Sequence, residues 1–215
     1  MKKVLKNVNF AFLLLKMCII FGQGTATQKI IIIDAGHGGK DSGTIGINGI
    51  QEKDIVLDIA LEILKLNEKS EMPLDIYLTR YSDTLISLSD RSKLAKALNA
   101  ELFISLHCNH SDNPNARGIE VYVANGKSKY SDESTWLAFK LQEAHNKELG
   151  FESRGVKFEN FQVLRETADY CLSMLLELGF LSNRDESCYF LKTDNIKVIA
   201  LAILMGLYKY LNNGL

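Results

Sequence analysis

The stretch "IIIDAGHGGKDSG", Ile31–Gly43, sets the reading of the whole chain. Three isoleucines run into an acid, and a histidine follows between glycines. A short, unbroken β-branched run of this kind reads as a buried strand. The glycines after it cannot pack a core; they allow sharp turns and close approach of the backbone. A buried strand that ends in Asp34 and His37 on a glycine loop is the arrangement in which α/β sheets build sites, beyond the carboxyl ends of their strands.

Working outward, Lys29–Asp34 is the first expected strand and residues 35–50 its loop, with Gly36, Gly38, Gly39, Gly43, Gly46 and Gly49. From Glu52 to Leu66 the apolar residues Ile55, Val56, Ile59, Ala60, Ile63 and Leu64 fall on one helical face. "LDIYLTR" is the next strand. Ser87 or Ser89 caps a helix through Leu98. "ELFISLH" is a third strand, and "GIEVYVA" alternates like a half-exposed one. Ser131–Leu149 reads as a long amphipathic helix stopped by Gly150. "FQVLR" is read as a short strand and "LSMLLELGF" as a strongly apolar one broken by a single acid. Helices over Asp185–Leu191 and Asp194–Leu211 complete the chain. Strands alternating with helices predict one α/β domain whose central, largely parallel sheet is covered on both faces.

The 215 residues are 47% hydrophobic, enough for one substantial core, and contain only two prolines and no linker-like tract. Net charge is −1, and no basic, aromatic-interleaved stripe points to nucleic acid. Lys2, Lys3 and Lys6, the apolar "FAFLLLKMCIIFG" and the small residues Gly24-Thr25-Ala26 read as an export signal over residues 1–26, leaving residues 27–215 as the catalytic domain. An uncleaved membrane anchor is the competing reading. The apolar run is short for a membrane span, so none is expected in the mature chain. Lipidation at Cys18 fits less well, because Lys16 and Met17 stand where small residues are expected. Cleavage after Ala26 removes Lys2, Lys3, Lys6 and Lys16 and no acid; 25 basic residues become 21 against 26 acidic, a balance of −5. Cys108, Cys171 and Cys188 remain. Cys108 reads as a buried thiol, while Cys171 and Cys188 can pair without being required to. No CxxC supports a cysteine zinc site.

Of four histidines, His37 and His107 share a context, each at the end of an apolar strand. Two strand-end imidazoles in one sheet can converge on a metal, zinc above all; each taken singly reads as a hydrogen-bonded structural residue. Glu52 opens a helix just after the glycine loop and can turn back toward His37. It reads equally as an acid favoured by the helix dipole. Glu177 lies among apolar neighbours, where an unpartnered carboxylate is costly; it is either a catalytic acid or a buried structural one. Together, His37, Glu52, His107 and Glu177 supply three zinc ligands with an open fourth position and one separate acid/base. That is the minimum for hydrolysing an amide without a nucleophilic side chain. "GHGGKDSG" is no P-loop, and Ser105 lies in no G-x-S-x-G elbow. Cys108 points away from His107 by strand alternation.

At these residues the sequence resembles the zinc-dependent N-acetylmuramoyl-L-alanine amidases of the amidase_3 family. The resemblance covers about Lys29 to Asn212 in ordered blocks: "IIIDAGHGGKDSG", "GIQEKDIVLDIA", "IYLTR" with "LSDRSKLA", "ELFISLHCNH", "GIEVYV", "RGVKFENFQVLRET" and "LLELGFLSN". It implies a mixed six-stranded sheet, one Zn2+ at His37, Glu52 and His107, and Glu177 as acid/base. It also implies cleavage of the amide between N-acetylmuramic acid and the L-alanine of peptidoglycan stem peptides, in wall remodelling or daughter-cell separation. Export to the periplasm or cell envelope follows, with an envelope activator as a candidate partner.

Arg154 and Arg165 flank one block, as substrate-orienting cations or as solvated surface charge. His110 stands where the family has a small residue; a hydrogen bond near the metal is preferred to a ligand role. "DYCLSM" lacks the family's proline before "LLELGF". The stretch Ala124–Glu159 leaves no room for a large blocking insertion, which predicts an accessible groove. No wall-binding repeat is read after residue 212. Two other functions compete: a catalytically silent envelope-binding protein of the same fold, and a zinc peptidase acting on sugar-free peptides.

Overall fold

The computed structural model describes residues 29–213. The expected export segment, residues 1–26, lies outside them. Six strands form one sheet: β1 Ile30–Ala35, β2 Asp75–Leu78, β3 Leu102–Asn109, β4 Ile119–Ala124, β5 Ser153–Glu159 and β6 Leu172–Phe180. Six helices accompany them: α1 Glu52–Glu68, α2 Leu88–Ala97, α3 Ser131–Leu149, α4 Gln162–Thr167, α5 Arg184–Phe190 and α6 Thr193–Asn213. The strand order is β2-β1-β3-β6-β4-β5. All neighbours run parallel except β4 against β6. The sheet is thus mixed and six-stranded, within a single α/β domain. Among the described residues no helix is long and apolar enough to cross a membrane.

Strand alternation divides the core. Ile31, Ile33, Leu102, Ile104, Leu106, Met174 and Leu176 face α1, α3, α5 and α6, and all are buried there. Ile32, Phe103 and Leu175 face the other way, onto Val163 and Leu164 of α4 and Ala95 of α2. Only two short helices cover this second face, so part of it is left to polar residues. Its rows can be read from the register. Asp34 pairs with Ser105, Ser105 with Leu175, Leu175 with Tyr122 and Tyr122 with Lys157. In a second row His107 pairs with Glu177 and Glu177 with Glu120. Residues paired directly across strands present side chains on one face, about 4.5–5.5 Å apart.

Two expected elements differ. "FQVLR" is not a strand: Phe161 is extended at the N-terminal cap, and Gln162–Thr167 forms α4. Val163 and Leu164 are buried in the smaller core by helical spacing. The strand sits instead in "SRGVKFE", an edge strand too exposed to show an alternating apolar signal. "GIEVYVA" is a strand, but its polar side does not face solvent; Glu120 is buried. The α3 helix has the expected bounds and ends on Gly150 at φ 72°, a left-handed cap suited to glycine. Ser87 caps α2, its Oγ accepting from the Asp90 amide at 3.2 Å. Cys108, Cys171 and Cys188 are all free thiols, with Cys171 buried and Cys188 exposed.

Candidate metal and catalytic site

Asp34 anchors the loop rather than reacting. Its Oδ1 accepts from Thr79 Oγ1 at 2.7 Å and Arg91 Nη1 at 2.6 Å, and Oδ2 from Ser105 Oγ at 2.6 Å. Arg91, equally buried, also donates to the carbonyls of Ala35 and His37. Arg80 donates to the carbonyls of Ala35, Gly36 and Lys53. Two guanidiniums therefore hold three successive carbonyls, Ala35 to His37, where the ladder of β1 gives out. The clamp also offsets the strain at His37, a non-glycine residue at φ 59°.

The loop delivers His37 to Glu52, the first residue of α1. Glu52 is buried, and its Oε1 lies 3.0 Å from His37 Nε2 and 2.9 Å from His107 Nδ1. The Cys108 amide donates to the same oxygen at 3.0 Å, and the Thr44 amide to Oε2 at 2.8 Å. The two imidazoles meet edge to face, with centroids 4.9 Å apart. Two glycines make room. A Cβ on Gly36 would lie 2.6 Å from His107 Nε2, and one on Gly43 2.6 Å from the His37 ring.

Burial works against the charge on Glu52, but hydrogen bonds from His107 and His37 hold its carboxyl far below the usual range. Burial likewise opposes a charge on His37, yet Glu52 and Asp41 raise it to about 9. His107 is raised by Glu52 against the same burial. The cluster attracts positive charge, which a divalent cation can supply in place of the protons.

The donor set fits zinc. One atom from each of His37, Glu52 and His107 lies within 4.8 Å of the others. Tetrahedral zinc with legs of about 2.0–2.1 Å places neighbouring ligands roughly 3.3 Å apart, and needs only three protein donors in a catalytic site. Asp41, which the sequence reading did not single out, completes the arrangement. Its Oδ2 lies 2.9 Å from His37 Nδ1, which leaves Nε2 turned to the cluster. This is the usual carboxylate support of a metal-ligating histidine.

Glu177 stands beside His107 in the sheet register. Its buried Oε2 has no hydrogen-bond partner. Burial pushes its carboxyl up to about 7; Glu52 and Glu120 add to the rise, and His107 and His37 oppose it. Cys108 faces the opposite side, its thiol raised well above the usual range by burial.

All four residues line one groove of about 1160 Å3, together with Leu85, Leu88, Asp90, Asn109, His110 and Phe161. His110 is exposed on the rim, 3.9 Å from Asp112, and stands outside the three-residue cluster. Arg165 is turned to Asn160, and Arg154 to Glu120. His145 is a core residue within α3, bonded to the Leu141 carbonyl. The structure thus brings His37, Glu52, His107 and Glu177 together, and leaves both Arg154 and Arg165 outside the groove lining.

The model of the family described as N-acetylmuramoyl-L-alanine amidase matches residues 31–209. The endolysin of Bacillus phage SPP1 is 34% identical over 187 residues, covering 86% of this chain and 67% of its own length. LytC of Bacillus subtilis (strain 168), an N-acetylmuramoyl-L-alanine amidase, is 37% identical over 160 residues, 74% of this chain; the match spans only 31% of LytC. Among solved structures, an N-acetylmuramoyl-L-alanine amidase from Clostridium difficile 630 superposes with a TM-score of 0.80 at 32% identity, covering 88% of this chain and 100% of that one. The CwlD amidase of Clostridioides difficile, solved in complex with the GerS lipoprotein, gives 0.77 at 30% identity, covering 86% and 99%. The chain belongs to the N-acetylmuramoyl-L-alanine amidase family, cell-wall hydrolases that cut the amide between N-acetylmuramic acid and the L-alanine of the stem peptide.

Proposed function

We propose that His37, Glu52 and His107 hold one zinc ion and that Glu177 is the acid/base of muramoyl–alanine hydrolysis. The carrying observation is the unpartnered, buried Glu177 Oε2 beside a His–Glu–His cluster in one open groove. Zinc, when bound, supplies Lewis-acid chemistry: it acidifies water to a pKa near 7 and polarises a carbonyl. The remaining work is done by the chain. Glu177 takes the proton of the attacking water and passes it to the departing L-alanine nitrogen. A carboxyl held near neutrality both accepts and returns a proton at modest cost. Glu52, held anionic, suits a ligand and not a proton carrier. Asp41 and the Arg80–Arg91 clamp fix His37.

Export to the cell envelope, with residues 1–26 as the signal and residues 27–215 as the working domain, accompanies this reading; its peptidoglycan substrate lies outside the cytoplasm. An envelope activator fits beside it, as the complex of CwlD with a lipoprotein provides a precedent.

The test is zinc content and activity measured together. Glu177→Gln should keep zinc and lose activity, while His37→Ala and His107→Ala should lose both. Full activity in Glu177→Gln refutes the role given to it.

A further inference from the structure

A second polar cluster adjoins the groove, and its cations take no part in the proposed hydrolysis. Glu120, on β4, is buried, and each of its oxygens is doubly engaged. Oε1 accepts from Arg154 Nε and Lys157 Nζ, both at 2.6 Å. Oε2 accepts from Asn109 Nδ2 at 2.8 Å and Tyr122 Oη at 2.7 Å. Two cations on the one Glu120 carboxylate leave one positive charge in excess among the bonded groups, with Glu152 nearby on the Arg154 side. Neither cation is buried: 33% of the Arg154 side chain and 40% of that of Lys157 are exposed. Arg154 is braced over the Phe180 ring at 5.1 Å.

This cluster lies on the groove side of the sheet. Glu120 is the register partner of Glu177. Asn109 lines the groove, and Tyr122 packs edge-on against Phe161, another lining residue, with centroids 5.3 Å apart. Elsewhere the groove offers Leu85, Leu88, Asp41 and Asp90; its arginine, Arg91, is buried against Asp34, and its one exposed imidazole, His110, lies by Asp112. Glu159 shares the strand with Lys157, but it pairs with Ala124, one pleat further from the row of Glu177.

We infer that Arg154 and Lys157, held by Glu120, recognise a carboxylate of the stem peptide downstream of the scissile amide, and so set the enzyme's preference for an acidic stem. The inference rests on the amidase reading of the site. Lys157 lies two strands from Glu177, about 10 Å at the usual interstrand spacing. An extended peptide advances about 3.3–3.6 Å per residue. The Lys157 ammonium reaches back to Glu120, one strand from Glu177, so the carboxylate served is on the second residue after the cut. Charge-assisted contacts of this kind read out as affinity and specificity.

Two muramoyl dipeptides test this on the zinc-loaded full-length protein: one with a free carboxylate on its second residue, one with that carboxylate amidated. The expected kcat/KM favours the acid by about tenfold or more, carried by KM. In Arg154→Gln and Lys157→Gln the ratio falls, and in the double variant it approaches one. A wild-type ratio within about twofold overturns the inference without reliance on any variant's folding. So does a ratio that survives in the double variant. Calorimetric binding of the two released dipeptides makes the same comparison without turnover. Selective binding of the acid with neither substrate cut sinks the amidase reading alone; equal binding of acid and amide sinks the inference.

Discussion

Replacing Gly36 with alanine should disable the site while sparing the fold. Gly36 does not sit at positive φ, so alanine carries no backbone penalty there. Its Cβ would stand 2.6 Å from His107 Nε2 and 2.8 Å from Nδ1. Unstrained contacts lie at about 3.5–4.0 Å, so the ring must retreat by roughly 1 Å. The Nδ1 of that ring is meanwhile held at 2.9 Å by Glu52, so a retreat strains that contact. Overpacking of this order costs about 1–3 kcal/mol, which a domain of this size tolerates. A misplacement of about 1 Å, however, lowers activity by about 10²-fold. Gly36→Ala should therefore melt cooperatively, bind zinc more weakly in competition with a chromophoric chelator, and lose about two orders of magnitude in kcat/KM. Zinc affinity and kcat/KM both within about threefold of wild type would refute the placement of His107 in the working site.

Three further outcomes are expected. Arg91→Met removes one partner of the fully buried Asp34 pair and two loop-carbonyl contacts, and should lower stability in urea by about 3–5 kcal/mol; a loss below about 1 kcal/mol would contradict the clamp. Asp41→Asn should weaken zinc binding about 10–100-fold with little change in the apo melting temperature, the mark of a histidine-orienting carboxylate; unchanged zinc affinity would remove that role. Glu177 is a carboxyl whose pKa is raised by folding, to about 7, so ionising it costs stability as pH rises from its unfolded value toward 7 and the cost persists above. Glu177→Gln should accordingly raise the melting temperature of the metal-free protein at pH 8 and leave it nearly unchanged at pH 4, and a lower melting temperature at pH 8 would argue that the carboxylate is stabilising.

The strands and long helices were legible because burial imprints itself on sequence. The isoleucine run before Asp34 is buried on both faces of the sheet, and the spaced Ile55, Val56, Ile59 and Ile63 face one core and carry its period. The edge strand Ser153–Glu159 was not legible. It packs little apolar surface, so its pattern resembles a loop, while the compact apolar group in "FQVLR" imitates a strand. Within the site, His37, Glu52, His107 and Glu177 stood out because their chemistry clashes with their apolar or glycine-rich surroundings. Asp41 did not, though its place four residues after His37 in a turning loop was the available signal. Glu120 was hidden for a different reason: alternation in "GIEVYVA" says that one side is polar, and cannot say whether that side meets water or a cluster of Arg154, Lys157, Asn109 and Tyr122. Arg80 and Arg91 act on carbonyls more than forty residues away, a partnership that only the fold creates.

The most direct test is mass spectrometry of the fragments released from peptidoglycan by the purified protein, with and without a zinc chelator. Free stem peptides beginning with an L-alanine amine and glycan stripped of peptide are expected, both abolished by chelation and restored by zinc. Cuts within the stem peptide, or release of the same peptides undiminished by chelator, would contradict the proposed function.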